Sequence, residues 1–403
     1  MAAGITRRTA LGWSAAASAM TALPALAMVN DDAALWQTLD GLAGLVDPAA
    51  KLAALARFRA DRLSLARRLD LAVVRYGLTI DRRLAAQPAS IARARFALLL
   101  ARGIGREMPV AAARAALEAE RDRLTRAALP LFDALGISAP TLGARYRRLF
   151  ADPRHLYPDG EAGRAQAVAD MTGWLDHARK ALPRWFGAVP PRCLNVGVRA
   201  LTPEESAAGK GGYRILPTDT ERGWYIVDLE HIARRPRWTL HSVVHHELLP
   251  GHMVQLPIQA LAGPHPLRLH YAGAFVEGWG AYAEGLAWRG GLLPDPLDRL
   301  GAIHWLLFRV LRGIADIGLN HDAWSLDRAQ ALLEDGQGEP AYFAAFADDL
   351  ARMTKEPATR AAEALVALGL TERVQTARDE RRLHTAWLAG GAHYPADRGN
   401  AYS

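Results

Sequence analysis

Residues 243–255 read Val-Val-His-His-Glu-Leu-Leu-Pro-Gly-His-Met-Val-Gln, and no other stretch constrains the chain as strongly. A His-Glu pair inside an apolar helical run is costly unless the carboxylate is paired or placed on a metal or a water. Histidines at i and i+4 share one helix face and can grip a single zinc, with a glutamate beside the first acting as base for water. Here the residue four after His246 is Pro250, and the next histidine, His252, stands at i+6. In an unbroken helix that offset is about 240° of rotation and about 9 Å of rise, too far for one ion. Proline lacks the helix donor and glycine accepts unusual dihedrals. The spacing therefore predicts a bulge at Pro250-Gly251 that returns His252 over His246.

A second segment, Phe275-Val-Glu-Gly-Trp-Gly-Ala-Tyr-Ala-Glu284, supplies the missing carboxylate. Glu277 follows His252 by 25 residues, room for a loop and a returning helix. His246, His252 and Glu277 make a His₂Glu set that leaves a fourth position for water. Glu284 lies two turns further on, about 10.5 Å along the axis, so it is expected to hold a ligating histidine and not the ion. The only cysteine, Cys193, excludes an internal disulfide framework and any CxxC site, so a metal must be held by histidine and carboxylate.

Around these segments the chain reads as mainly α. Helical periodicity covers Ala49–Leu69, Leu71–Ala86, Ser90–Leu100, Pro109–Leu129 and Gly163–Trp185, with Ala, Leu, Arg and Glu frequent. Turns are predicted at 136–140 and 157–160. Three β-prone runs, Cys193–Val198, Gly212–Leu216 and Gly223–Asp228, point to a small ribbon before the metal helix, and helix resumes after Arg237. The expected organisation is an export signal over 1–27, an N-terminal helical region over 28–187 and a metal-binding region over 188–403. The last two form one continuous fold, with the β segments at 188–230.

Residues 1–27 combine a basic start, a broken apolar stretch from Leu11 to Leu26 and the small-x-small triplet Ala25-Leu26-Ala27. This is the plan of a secretory signal, and Thr6-Arg7-Arg8-Thr9-Ala10-Leu11 resembles its twin-arginine version, so a periplasmic protein is expected. No other run is long and apolar enough to span a bilayer, so no stable membrane insertion is expected once the signal is removed. Removing Arg7 and Arg8 lowers the formal charge from +7 to +5, and the arginines are interspersed with acids, so nucleic acid is not an expected partner. Nothing in the pattern selects an oligomeric state.

The motifs His-Glu-x-x-Pro-Gly-His and Glu-Gly-Trp-x-x-Tyr-x-Glu resemble the domain-of-unknown-function 885 family of bacterial, often exported, zinc peptidase-like proteins. A more distant similarity is to the glutamate-zincin peptidases. The resemblance runs from about Ala34 to about Arg378 and includes Arg312-Gly-Ile-Ala-Asp316-Ile-Gly318-Leu-Asn320-His321-Asp-Ala-Trp324-Ser325. It implies a large helical zinc-peptidase-like fold, one zinc ion on His246, His252 and Glu277, and Glu247 as general base. Three positions depart from the family pattern: Met253 stands for a second histidine, Asn320 for a histidine, although His321 follows, and no tyrosine occurs in 357–370.

Other candidates carry a plainer reading beside the functional one. His241 and His245 are an i, i+4 pair that either rivals the metal pair or packs. Arg312 and Asp316 either pair along a helix or leave Arg312 for a substrate carboxylate. Tyr213, Tyr225 and Tyr271 either donate to an oxyanion or pack, and Trp279, Tyr282 and Trp288 recur at core spacing. The expectation is a zinc metallopeptidase acting on short peptides, in which Glu247 takes a proton from a metal-activated water and gives it to the leaving amine. Strand 223–228 would offer its edge to an extended peptide. A zinc hydrolase of a non-peptide amide or ester, and a degenerate member serving as a binding or scaffold protein, stand as alternatives.

Overall fold

The sparse β-branched content of the first half is spent almost wholly on helix. The computed structural model describes residues 31–88, 90, 92–340 and 345–390; the signal segment 1–27 and the tail from His393 lie outside them. Residues 31–41 form α1, followed by α2 (Pro48–Leu55), α3 (Leu65–Ala85), α4 (Ala92–Ile104), α5 (Val110–Ala134), α6 (Leu142–Phe150), α7 (Glu161–Ala181) and α8 (Pro183–Phe186). The strand-bearing interval holds β1 (Val196–Ala200), α9 (Pro203–Ala207), β2 (Tyr213–Ile215) and β3 (Gly223–Val227). Helices α10 (Arg237–Glu247), α11 (His252–Leu261), α12 (Pro266–Tyr271), α13 (Ala274–Arg289) and α14 (Pro296–Asn320) carry the motifs. Helices α15 (Leu326–Gln337), α16 (Phe346–Lys355), α17 (Thr359–Thr376) and α18 (Glu380–Ala389) complete the described chain. The protein is mainly α with one small sheet.

Two helix boundaries differ from the periodicity. The expected helix 49–69 stops at Leu55, because Phe58 and Leu63 leave the helical path to enter a separate N-terminal core with Leu35, Leu39 and Tyr271. Arg75 ties down the vacated carbonyls of Leu55 and Phe58, and Ser64 caps the restart. The expected break at Asp70 does not occur, because Asp70 is fully buried between Arg67 (2.7 Å) and Arg268 (3.1 Å) and α3 runs through it. An acid that reads as a helix terminus in sequence is here a buried tie from α3 to α12.

The sheet order is β1-β3-β2, with β1 parallel and β2 antiparallel to β3. This corrects the expectation that strand 223–228 offers an edge. The apolar run Trp224-Tyr-Ile-Val227 takes the centre and is paired on both sides, leaving β1 and β2 at the two borders. A main core extends from Phe96 to Leu388 and draws on both sides of residue 187. Helix α10 crosses it with every residue from Trp238 to His246 buried, its polar members Thr239, His241, Ser242, His245 and His246 included. Among the described residues no helix is long and apolar enough to cross a membrane.

Cys193 lies in this interior, fully buried, and burial pushes its thiol up to about 11. The thiolate is the reactive form. Native protein at pH 8 is therefore expected to resist iodoacetamide and to take up one equivalent on unfolding, as read by intact mass; labelling of the folded chain would contradict the packing.

Candidate metal centre

The Pro-Gly interruption behaves as the spacing predicts. Helix α10 ends at Glu247 and α11 begins at His252, with Leu249-Pro250 cis and Gly251 at φ −74°, ψ −133° between them. A Cβ on Gly251 would lie 1.9 Å from the His246 carbonyl oxygen and 2.4 Å from that of His245, so only glycine lets the chain fold back this closely. His245 bonds the Leu249 carbonyl oxygen through Nδ1 at 2.9 Å, and Trp279 donates to the Pro250 carbonyl at 3.1 Å. The rings of His246 and His252 come to 4.8 Å between centroids, perpendicular to each other.

Helix α13 brings the carboxylate. His246 Nε2 lies 3.4 Å from Glu277 Oε2, and His252 Nε2 lies 3.7 Å from Glu277 Oε1. One donor atom from each of the three residues falls within 4.8 Å of the others. A tetrahedron with bonds of about 2.0–2.1 Å has edges of about 3.3 Å, close to two of these separations. Each histidine has its other nitrogen engaged: His246 Nδ1 bonds Glu284 Oε1 at 2.8 Å and His252 Nδ1 bonds Gln255 Oε1 at 2.9 Å. Glu284 is itself fixed by Ser242 Oγ at 2.7 Å. These contacts aim both Nε2 atoms at Glu277, and that of His252 is buried with no hydrogen-bond partner. The donor set and the orphaned nitrogen fit a zinc-type cation.

The electrostatics divide the cluster, the two histidines shifting in opposite directions. Burial and Arg309 act to lower the basicity of His246, but hydrogen bonds with Glu277 and Glu284 prevail and raise it to about 9. Burial, with the charges of His246 and Arg214, lowers His252 to about 4. Burial works to raise Glu277, yet the His246 hydrogen bond and the charges of His246, Arg309 and His252 hold it well below the usual carboxylate range. A proton and a metal compete for the same imidazole lone pair, so a metal at this site would have to displace the proton that Glu277 and Glu284 hold on His246.

Glu247 closes α10 with its side chain 18% exposed, the access a base for water requires, and it is ion-paired to Arg214 of β2. Tyr213 projects from the opposite face of β2 and donates to Glu205. Tyr225 is the cross-strand partner of Arg214 and packs in the core. Tyr271 bonds Asp81 at 2.6 Å in the N-terminal core, away from the cluster. His241 stacks on Trp174 and meets Asp298 at 2.9 Å, so with His245 tied to Leu249 the rival pair is a packing pair.

Three candidates on or just after α14 are not brought to the cluster. Arg312 is buried against Asp349 at 2.6 Å and does not pair with Asp316. Asp316 instead accepts from the backbone of Ala358 (2.9 Å) and Ala361 (3.1 Å), holding the start of α17. His321 bonds Asp322 at 2.5 Å, about 18 Å along the helix from the turn that faces the cluster. Asn320 spans Asp316 and the Met353 carbonyl, so its departure from the family pattern concerns helix packing. Met253 is likewise a core residue. The stretch without a tyrosine, 357–370, lies mostly on α17, which packs on α13 through Val366 and Gly278.

Two arginines went unforeseen. Arg309 contacts Glu277 Oε2 at 3.4 Å and His246 Nε2 at 3.3 Å, and Arg214 pins Glu247. Arg309 stands one turn before Arg312 on the same helix, and periodicity does not say which arginine faces the metal motif.

On the strength of Glu284 holding His246, if the cluster holds zinc, the conservative Glu284→Gln is expected to weaken that binding by about 10–100-fold. Competition against a fluorescent chelator measures it, and unchanged affinity would show that the contact does not orient the ring.

The fold and the site define a mainly helical protein in which two buried histidines meet a partly exposed glutamate, beside a second glutamate at a helix end. Residues 3–382 match the family described as "Bacterial protein of unknown function (DUF885)", and the chain belongs to that family. Two solved structures, each described as a putative lipoprotein, share the fold. One, from Colwellia psychrerythraea, has a TM-score of 0.66 and 24% identity over 77% of this chain and 54% of its own. The other, of unknown function and from Shewanella oneidensis, has a TM-score of 0.58 and 18% identity over 90% of this chain and 70% of its own. This chain thus spans about half the length of the Colwellia protein. No curated protein matches the sequence.

Proposed function

We propose that the protein is an exported zinc-dependent hydrolase of short peptides, with His246, His252 and Glu277 as ligands and Glu247 as general base. The observation that carries this reading is the convergence of two Nε2 atoms on Glu277 while both Nδ1 atoms are engaged. A zinc ion held there supplies a Lewis acid for a carbonyl and makes water nucleophilic near neutral pH. Glu247 takes the proton from the attacking water and returns it to the leaving nitrogen as the C–N bond breaks. Arg214 orients that carboxylate from the border strand β2, whose outer edge can take an extended backbone as an added strand.

Export is supported by the three-part pattern of residues 1–27, with its twin-arginine start, and by the lipoprotein descriptions of the two structural relatives. A second reading, a binding protein without turnover, draws on Arg214 and Arg309, which neutralise the base and a ligand. Metal analysis followed by peptide-library cleavage with zinc-reconstituted protein separates the two. Stoichiometric zinc with zinc-dependent cleavage is expected. Zinc without cleavage of peptides, esters or amides favours the binding protein, and absence of stoichiometric zinc removes the site.

A further inference from the structure

Helices α5, α13, α14 and α17 line a half-open cavity of about 550 Å³. The space exists because the facing positions are small: Ala116 and Ala119 on α5, Ala281 and Gly285 on α13, Ala364 and Ala367 on α17. Its charged lining is unequal, with Arg123, Arg126, Arg289 and Arg309 against Glu120 and Glu372. Glu120 is taken up by a bidentate pair with Arg123 at 2.6 Å for both bonds. Arg289 lies over the Tyr282 ring, and among the described residues Arg126 has no acidic partner.

Arg309 joins this cavity to the cluster. It lines the cavity and also reaches Glu277 and His246, but at 3.4 and 3.3 Å, longer than the roughly 2.7–2.9 Å of a charge-assisted bond. Its Nε is buried and unpaired, so the donors within reach of the cavity are the terminal nitrogens held only by those long contacts. A guanidinium in this state has a donor to spare for a planar anion. The nearby carboxylates of Glu120, Glu372 and Glu277 disfavour a dianion, while the alanine and tryptophan walls favour an apolar body attached to the charge.

We infer that this cavity is a recognition pocket for a free carboxylate with its adjoining apolar side chain, Arg309 being the specificity residue. The protein would then engage peptides at their C-terminal end. That last step rests on the hydrolase reading; the binding does not.

The probes are N-acetyl-L-leucine and N-acetyl-L-leucinamide, titrated by calorimetry into the purified full chain after EDTA treatment and into Glu247→Gln. The acid is expected to bind at least tenfold tighter than the amide in both proteins. Arg309→Met should bring the acid to the level of the amide, Arg309→Lys should retain part of the preference, and Ala367→Trp should weaken both ligands by filling the space. Equal binding of acid and amide by the unmutated chain overturns the inference whether or not the variants fold. So does a preference that survives in both Arg309→Met and Ala367→Trp proteins with native melting curves. Acid preference in a protein that never cleaves peptides keeps the pocket and removes the hydrolase reading. Zinc-dependent cleavage without acid preference does the reverse.

Discussion

Replacing Glu247 with glutamine is expected to lower hydrolysis of any peptide the protein cleaves by about 10²–10⁴-fold, with zinc still bound at one per chain. Glutamine matches the glutamate in shape and keeps an oxygen for Arg214, so the end of α10 has no reason to move. What it loses is the ability to accept a proton. Glu247 is the base candidate because it adjoins His246, ends its helix and retains 18% exposure, whereas Glu284 is 1% exposed and committed to His246 and Ser242. The effect belongs in kcat more than in KM, since the proton moves only in the transition state. Undiminished turnover by the Gln variant would reassign the base; equal inactivity of both proteins with zinc in place would favour the binding reading.

The second large effect concerns a residue with no polar group. Gly280 lies on α13 between Glu277 and Glu284, and a Cβ there would sit 2.4 Å from His246 Cε1 and 2.7 Å from both ring nitrogens. The ring lies against bare backbone and cannot stay in place if that surface gains a methyl. Gly280→Ala is therefore expected to weaken zinc binding by at least about 100-fold and to cost about 1–3 kcal/mol of stability through overpacking. Gly285→Ala on the same helix is the control, because its added Cβ would meet only the mobile end of Arg289 at 3.2 Å. Chelator competition and urea unfolding on both variants give the comparison. Native zinc affinity in Gly280→Ala would mean that the His246 ring does not rest on α13.

Much of this centre was legible before any coordinates. Proline at i+4 of the first histidine and glycine at i+5 forbid a simple two-histidine helix face, and the chain resolves the conflict by ending one helix and starting another. The i, i+7 spacing of Glu277 and Glu284 brings both onto one face of α13, one toward the Nε2 side of His246 and the other toward its Nδ1 side. Local spacing suffices for such features because they are properties of a single helix or turn.

The misplacements have a different origin. Arg312 and Asp316 share the helix that carries Arg309 and His321 follows its end, and their roles depend on the elements that meet each position: Asp349 on α16, the start of α17, and the loop after α14. The central place of β3 follows from strand pairing across intervening chain, which leaves no mark in the strand's own apolar run. Asp70 is the same case, an acid whose arginine partner at 268 is almost two hundred residues away.

By itself the sequence determined the mainly helical class, the short β interval, the absence of a cysteine site, and the His246–His252–Glu277 set with Glu247 and Glu284 beside it. Periodicity, residue chemistry and short-range spacing are enough for these, because each is settled within one or two neighbouring elements. Only the tertiary structure decided that Arg309 and Arg214 face the cluster, that β2 takes a border of the sheet, and that small residues on three helices leave a cavity beside Arg309. Those features are made by surfaces meeting from distant parts of the chain, where the packing of one helix on another selects which side chain is turned inward.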